Sequence, residues 1–157
     1  MEDTLSIIAP ADVAKVKTFL DENVNAPVTI DLFSQKRSQL VIPGRTECEY
    51  CEETEQLLTE VANLSDNVQL TVHDLRNDPE AGTAHGIYPE MVPAFVLKGE
   101  AKGNVRYFGI PAGHEFTGLL QGIAEVSSGE TKLSQATKDE LARLPGDVHI
   151  RVFVTPT

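Results

Sequence analysis

Positive charge is scarce in this 157-residue chain: 13 Lys and Arg stand against 24 Asp and Glu, a formal net charge of −11. A nucleic-acid backbone or an anionic membrane calls for clustered cations, so both are excluded as main partners. The adjacent Lys36 and Arg37 are too few to line a groove. Cysteine is nearly absent as well. Two residues, Cys48 and Cys51, cannot staple a small secreted fold, although they can close one local bridge. No apolar run approaches the ~18 residues of a transmembrane helix. The acidic start, Met1-Glu2-Asp3-Thr4, lacks the basic and apolar regions of a secretory signal. A soluble, cytoplasmic protein is the expectation. The four histidines, His73, His85, His114 and His149, show no metal-ligand spacing. Neither a GxGxxG turn nor a phosphate loop is present. No metal and no cofactor beyond a dithiol are expected.

What is present suits one compact domain. At 41% hydrophobic residues the chain reads as globular and long enough to bury a core. Val13, Val16, Phe19 and Leu20 recur at helical spacing over 11–24, with Pro10 near the start. Val28 to Phe33 is a β-branched, alternating strand after Pro27. Leu40-Val41-Ile42 extends that strand or forms a short one of its own, and Pro43-Gly44 signals a turn. A helix follows from Cys48, carrying Leu57, Leu58, Val61 and Leu64 on one face. Strands are expected over 67–73 and 92–97, separated by a short helix over 78–86 that ends at Gly86. Val105 to Gly109 returns as the second arm of a hairpin, and helices follow over 114–126 and 134–144. In the second of these, Thr137 and Glu140 are spaced as a capping box. A last strand is expected from Asp147 to Val154. It echoes the first, because Val28-Thr29-Ile30-Asp31-Leu32-Phe33 recurs in pattern as Val148-His149-Ile150-Arg151-Val152-Phe153. The order implies an α/β layer structure around a mixed sheet.

Cys48-Glu49-Tyr50-Cys51 follows a strand and opens a helix. Two thiols at this spacing can reach disulfide geometry within one turn. At a helix N-terminus the dipole and free N–H groups favour a thiolate, the reactive nucleophile. The outer sulfur, Cys48, then attacks and the inner one, Cys51, resolves the mixed disulfide. Half a zinc site and two incidental core thiols are the alternatives, though no second CxxC or paired His completes a zinc site. Glu47, Glu49, Glu52 and Glu53 crowd the motif, and Arg45 is the only base near it in sequence. Like charge should disfavour the thiolate and make the centre comparatively reducing. Tyr50, between the cysteines, is a candidate for substrate contact. His114 and Glu115 are read as residues of a first helical turn, not as catalysts.

The stretch Val105-Arg106-Tyr107-Phe108-Gly109-Ile110-Pro111-Ala112-Gly113-His114-Glu115-Phe116 resembles the protein disulfide oxidoreductases, glutaredoxin-like proteins built of two fused thioredoxin-fold units. Cys48-Glu49-Tyr50-Cys51 resembles the active site of their N-terminal unit, and 147–157 resembles the strand that leads into the second unit's CxxC. The resemblance implies a thioredoxin-like α/β fold, a central mixed sheet flanked by helices, with an extra C-terminal helix and strand. Residues 1–145 would form the unit, and 146–157 would begin a second one whose CxxC the chain lacks. It further implies a cis Pro93 that, with Val92, holds an extended substrate beside the disulfide. By the same resemblance Asp31 would take the place of the buried carboxylate that relays the inner thiol's proton, with a solvated strand-face acid as the alternative reading. The implied activity is dithiol–disulfide exchange with protein substrates, fed by a thioredoxin-reductase-like donor. The N-terminal domain of the alkyl hydroperoxide reductase flavoprotein, which relays electrons from a flavin domain to a peroxidase, is a functional neighbour. A non-catalytic interaction module on the same fold is the rival. Two departures stand out: Ser34–Glu47 is longer than the family's connection, and activities needing two CxxC centres do not carry over. An unpaired last strand would offer an apolar edge, so homodimerisation through 148–154 is a further expectation.

Overall fold

A computed structural model describes residues 6–37, 47–103 and 105–152. Helix α1 (Pro10–Asn23) starts on a proline at its first turn, where the missing N–H costs no intrahelical bond. Strand β1 (Val28–Ser34) follows, then α2 (Cys51–Ala62) and β2 (Val68–Asp74). Strands β3 (Ala94–Lys98) and β4 (Val105–Phe108) form a hairpin, and α3 (Glu115–Ser128) and α4 (Gln135–Ala142) close the order. The sheet runs β2-β1-β3-β4. β1 and β2 are parallel across the α2 crossover, while β3 lies antiparallel to both β1 and β4. This is the layered mixed sheet that the alternation of patterns requires.

Alternation along β1 divides the core. Val28, Ile30 and Leu32 point to the helices and pack with Val16 and Leu20 of α1, Leu57, Leu58 and Val61 of α2, and Leu119 and Ile123 of α3. Each such side chain contributes roughly 1.5–3 kcal/mol on burial. Phe33 points the other way, into a smaller cluster with Leu75, Ile87, Ala94 and Val96. The heavier cluster therefore anchors α2, and with it the CxxC, to the central strand.

Several elements differ from the sequence expectations. The segment 78–86 is no α-helix; it holds only a single 3-10 turn at Thr83–His85, followed by a second at Pro89–Met91. The chain doubles back tightly here: a side chain on Gly82 would drive its Cβ into the carbonyl oxygen of Ile87. Such a fold-back cannot extend as a helix. α2 begins at Cys51, with Tyr50 at its N-cap, so Cys48 precedes the helix instead of lying in its first turn. The cap of α4 is Ser134, whose hydroxyl accepts the Thr137 N–H, so the capping residue lies three places before Thr137. Residues 147–152 form no strand, and Val148, Ile150 and Val152 are exposed. β-structure needs a neighbouring strand to take its N–H and C=O groups, and none lies beside this segment among the described residues. Of the edge expected over 148–154, residues 153 and 154 lie outside the described residues, as do 155–157. So do Leu40-Val41-Ile42, Pro43-Gly44 and Arg45. Among the described residues no helix is long and apolar enough to cross a membrane.

Candidate active site

β1 ends at Ser34 and β2 at Asp74, side by side at one edge of the sheet, because the two strands are parallel and in register. The start of β3 meets the same edge, with Ala94 opposite Phe33. Cys48, Tyr50 and Cys51 sit where these ends converge. The two sulfurs are bonded at 2.08 Å, with Cα atoms 5.6 Å apart. Cys51 is buried, at 1% exposure, whereas Cys48 is only half-buried. Sulfurs joined to one another are not thiolate ligands. Among the described residues no group of three or more His, Cys, Asp and Glu is placed to hold a metal ion.

The inner sulfur receives a backbone hydrogen bond: the Gln35 N–H donates to Cys51 Sγ at 3.3 Å. Gln35 lies one residue past β1, so its N–H is free of the ladder and turns to the helix. Its side-chain amide donates to the Pro89 carbonyl at 3.0 Å, tying this edge to the segment ahead of β3. There the Val92–Pro93 peptide is cis. The Pro93 carbonyl accepts the Gly109 N–H at 2.7 Å, which Gly109 can offer because it adopts a positive φ of 96°. Among the described residues no side chain caps α2, and Glu52 and Glu53 stand in its first turn, next to the disulfide.

Tyr50, Tyr88 and Met91 are 46%, 45% and 42% exposed, large apolar side chains left in solvent on the segments that carry the disulfide and Pro93. Glu49 hydrogen-bonds the Tyr50 hydroxyl and pushes its pKa up. An apolar groove of about 610 Å³ runs elsewhere, between Ile7, Val16, Phe19, Leu57 and Phe116, and neither cysteine lines it.

The structure does not bring Asp31 to the disulfide. Its carboxylate lies on the sheet face opposite Ile30 and Leu32, which pack against α2. It takes bonds from Lys98 Nζ at 2.5 Å and from the His73 ring at 3.4 Å. Burial alone would raise its pKa, but the Lys98 and His73 hydrogen bonds and their charge hold it below the usual carboxylate value. His114 caps α3 without a side-chain bond, and Glu115 is the helix's first residue.

Sequence reading missed two residues at the site. One is Gln35. The other is Arg76, two positions past β2, whose Nη2 donates to Glu47 Oε2 at 2.6 Å, immediately before Cys48. Its side chain is only 14% exposed, and its Nε and Nη1 are buried without a hydrogen-bond partner among the described residues. The signal was present in the topology: a parallel pair places the residues after β2 beside those after β1.

The fold and the disulfide together define a thioredoxin-like unit carrying a CxxC redox centre. No family model matches the sequence. The chain is 30% identical over 109 residues to the F subunit of alkyl hydroperoxide reductase from Staphylococcus aureus, a match covering 69% of this chain and 19% of that protein. The corresponding F subunit from Staphylococcus epidermidis is likewise 30% identical, over 67% of this chain and 18% of its own length. The chain thus spans about a fifth of the curated relatives it matches. Among solved structures, a protein disulfide oxidoreductase from Aeropyrum pernix superposes with a TM-score of 0.68 at 28% identity, over 88% of this chain and 56% of that one. The F subunit of Enterococcus faecalis alkylhydroperoxide reductase superposes at 0.69 with 22% identity, over 88% of this chain and 62% of that one, a likeness of fold.

Proposed function

We propose that this chain is a thiol–disulfide oxidoreductase unit of glutaredoxin-like type that exchanges its Cys48–Cys51 disulfide with protein substrates. The observation that carries the reading is the asymmetry of the pair: a half-buried Cys48 bonded to a buried Cys51 beside the uncapped start of α2. In the reduced unit, the Cys48 thiolate attacks one sulfur of a substrate disulfide. A Cys48–substrate mixed disulfide forms and the other substrate sulfur leaves as a thiolate. Cys51, once deprotonated, attacks Cys48 Sγ, closes the Cys48–Cys51 bond and releases the second substrate thiolate. Two electrons pass to the substrate, and two protons complete its thiols. The Gln35 N–H lowers the cost of charge on Cys51 while it waits to attack. Tyr50, Val92 and Pro93 form the bank along which an extended substrate lies. The exposed rim of Tyr50, Tyr88 and Met91 supports that role. The setting is the cytoplasm, where a thioredoxin-reductase-like donor returns the pair to dithiol.

A second reading is an electron relay toward a peroxidase, favoured by the 30% identity to the F subunit of alkyl hydroperoxide reductase. Both readings use the same sulfurs and differ in the partner. Insulin reduction with dithiothreitol tests the shared chemistry. Wild type should accelerate precipitation and Cys48→Ser should not; equal rates for the two would leave a non-catalytic interaction module. Feeding a thiol peroxidase from the reduced chain then separates the relay from general protein exchange.

A further inference from the structure

We propose that Arg76 sets the acidity of the Cys48 thiol, supplying the positive charge that the acidic residues around the disulfide withhold. The inference rests on the redox reading above and deepens it. Reduction adds two electrons to the Cys48–Cys51 bond and, when one proton goes to Cys51, leaves a new negative charge on Cys48. Around that charge stand Glu47, Glu49, Glu52 and Glu53, all of the wrong sign, with Asp74 accepting the Arg76 backbone N–H nearby. Against them stands the Arg76 guanidinium, held by Glu47, the residue bonded to Cys48.

Two features make Arg76 more than a loop tether. Its side chain is 14% exposed, so water and salt screen its charge weakly and its field reaches neighbouring atoms at low effective dielectric. Its Nε and Nη1 are buried with no acceptor among the described residues. Buried, unpaired donors on a cation are destabilising, and such groups point to a role beyond packing. A cation kept short of acceptors in the oxidised state is poised to stabilise an anion that appears only on reduction. Glu47 fixes the guanidinium beside the CxxC while neutralising part of its charge, so it sets the strength of the effect.

The test is the Cys48 thiol pKa in the reduced full chain, read by thiolate absorbance and by the pH dependence of Cys48 alkylation located by mass spectrometry. Arg76→Gln should raise that pKa by about one unit. At a pH above both thiol pKa values, a tenfold shift corresponds to a reduction potential about 30 mV lower for this two-electron couple. Arg76→Lys, which keeps the charge, should stay near wild type. Because Arg76→Gln takes this cation from a partly buried Glu47, Glu47→Gln and the neutral pair Glu47→Gln/Arg76→Gln give a second comparison, in which loss of Arg76 should again raise the pKa. Equal pKa values across both comparisons overturn the proposal, as do equal shifts from Lys and Gln at position 76. Failure of the parent reading looks different: wild type would not reduce insulin or a peroxidase, whatever its thiol pKa.

Discussion

At the scale of single residues, the charge of Asp31 is held by its neighbours. Burial pushes its pKa up, but Lys98 and His73 outweigh that and keep the carboxyl ionised below the usual value. A folded-state pKa below the unfolded one gives stability that is present above the unfolded value and is lost as pH falls through the folded one. Lys98→Met should therefore raise the Asp31 pKa in a carbon-detected NMR titration. It should also cost about 1 kcal/mol at neutral pH, a figure kept small because Lys98 is half in water. Urea unfolding at pH 7 and pH 3 checks it, since the loss should shrink at the lower pH; a cost independent of pH would mean packing and not charge. The same residue shows the limit of one-dimensional reading. Alternation correctly assigned Asp31 and Phe33 to one face, but which face meets α2 is a matter of packing.

At the scale of elements, one carboxylate fastens the N-terminal segment to α2. Glu60 accepts the Ile7 and Ile8 N–H groups, the Ser6 hydroxyl and the Gln56 amide, all within 2.9–3.0 Å. Burial would raise its pKa, but these donors, the Ile8 and Ile7 backbone first among them, hold it low. Glu60→Ala should cost about 2 kcal/mol in urea unfolding, since it strands partly buried amides. It should also speed hydrogen exchange at Ile7 and Ile8 while amides of β1 stay protected. The clamp loosens as pH falls through the Glu60 pKa, with the same sign as for Asp31. Helices and strands with strong periodicity, such as the Leu57–Leu58–Val61 face of α2, were legible because burial of one face dictates the pattern. Thr83–His85 was not, because the fold-back at Gly82 answers to a contact with Ile87 instead of a local preference.

At the scale of the molecule, a net charge of −11 is spread over 157 residues. Self-repulsion of that size destabilises the compact state and is screened by salt. Raising ionic strength from ~0.01 M to ~0.15 M shortens the screening length from ~30 to ~8 Å. The urea midpoint at pH 7 should rise over this range; a fall would mean that attractive pairs such as Arg76–Glu47 outweigh the repulsion. The C-terminal stretch stands apart at this scale too. α4 buries no residue, and Val148, Ile150 and Val152 face solvent. Their alternation marks a strand in sequence, yet a strand exists only where a neighbour completes its hydrogen bonds.

The elements α1 to α4 and β1 to β4, the division of β1 into two faces and the ability of Cys48 and Cys51 to close a local bridge were legible in local pattern. Periodicity and spacing are carried by adjacent residues and survive without knowledge of the fold. The acidity of the surroundings was read the same way, and there the reading was incomplete, because charge acts through space. β1 and β2 end together, so Gln35 arrives at Cys51 and Arg76 at Glu47, beside Cys48, from strands far apart in the chain. Asp31, close to that edge in sequence, is turned from it by the pleat. Which groups surround the sulfurs is a property of packing, and packing is settled only when the sheet assembles.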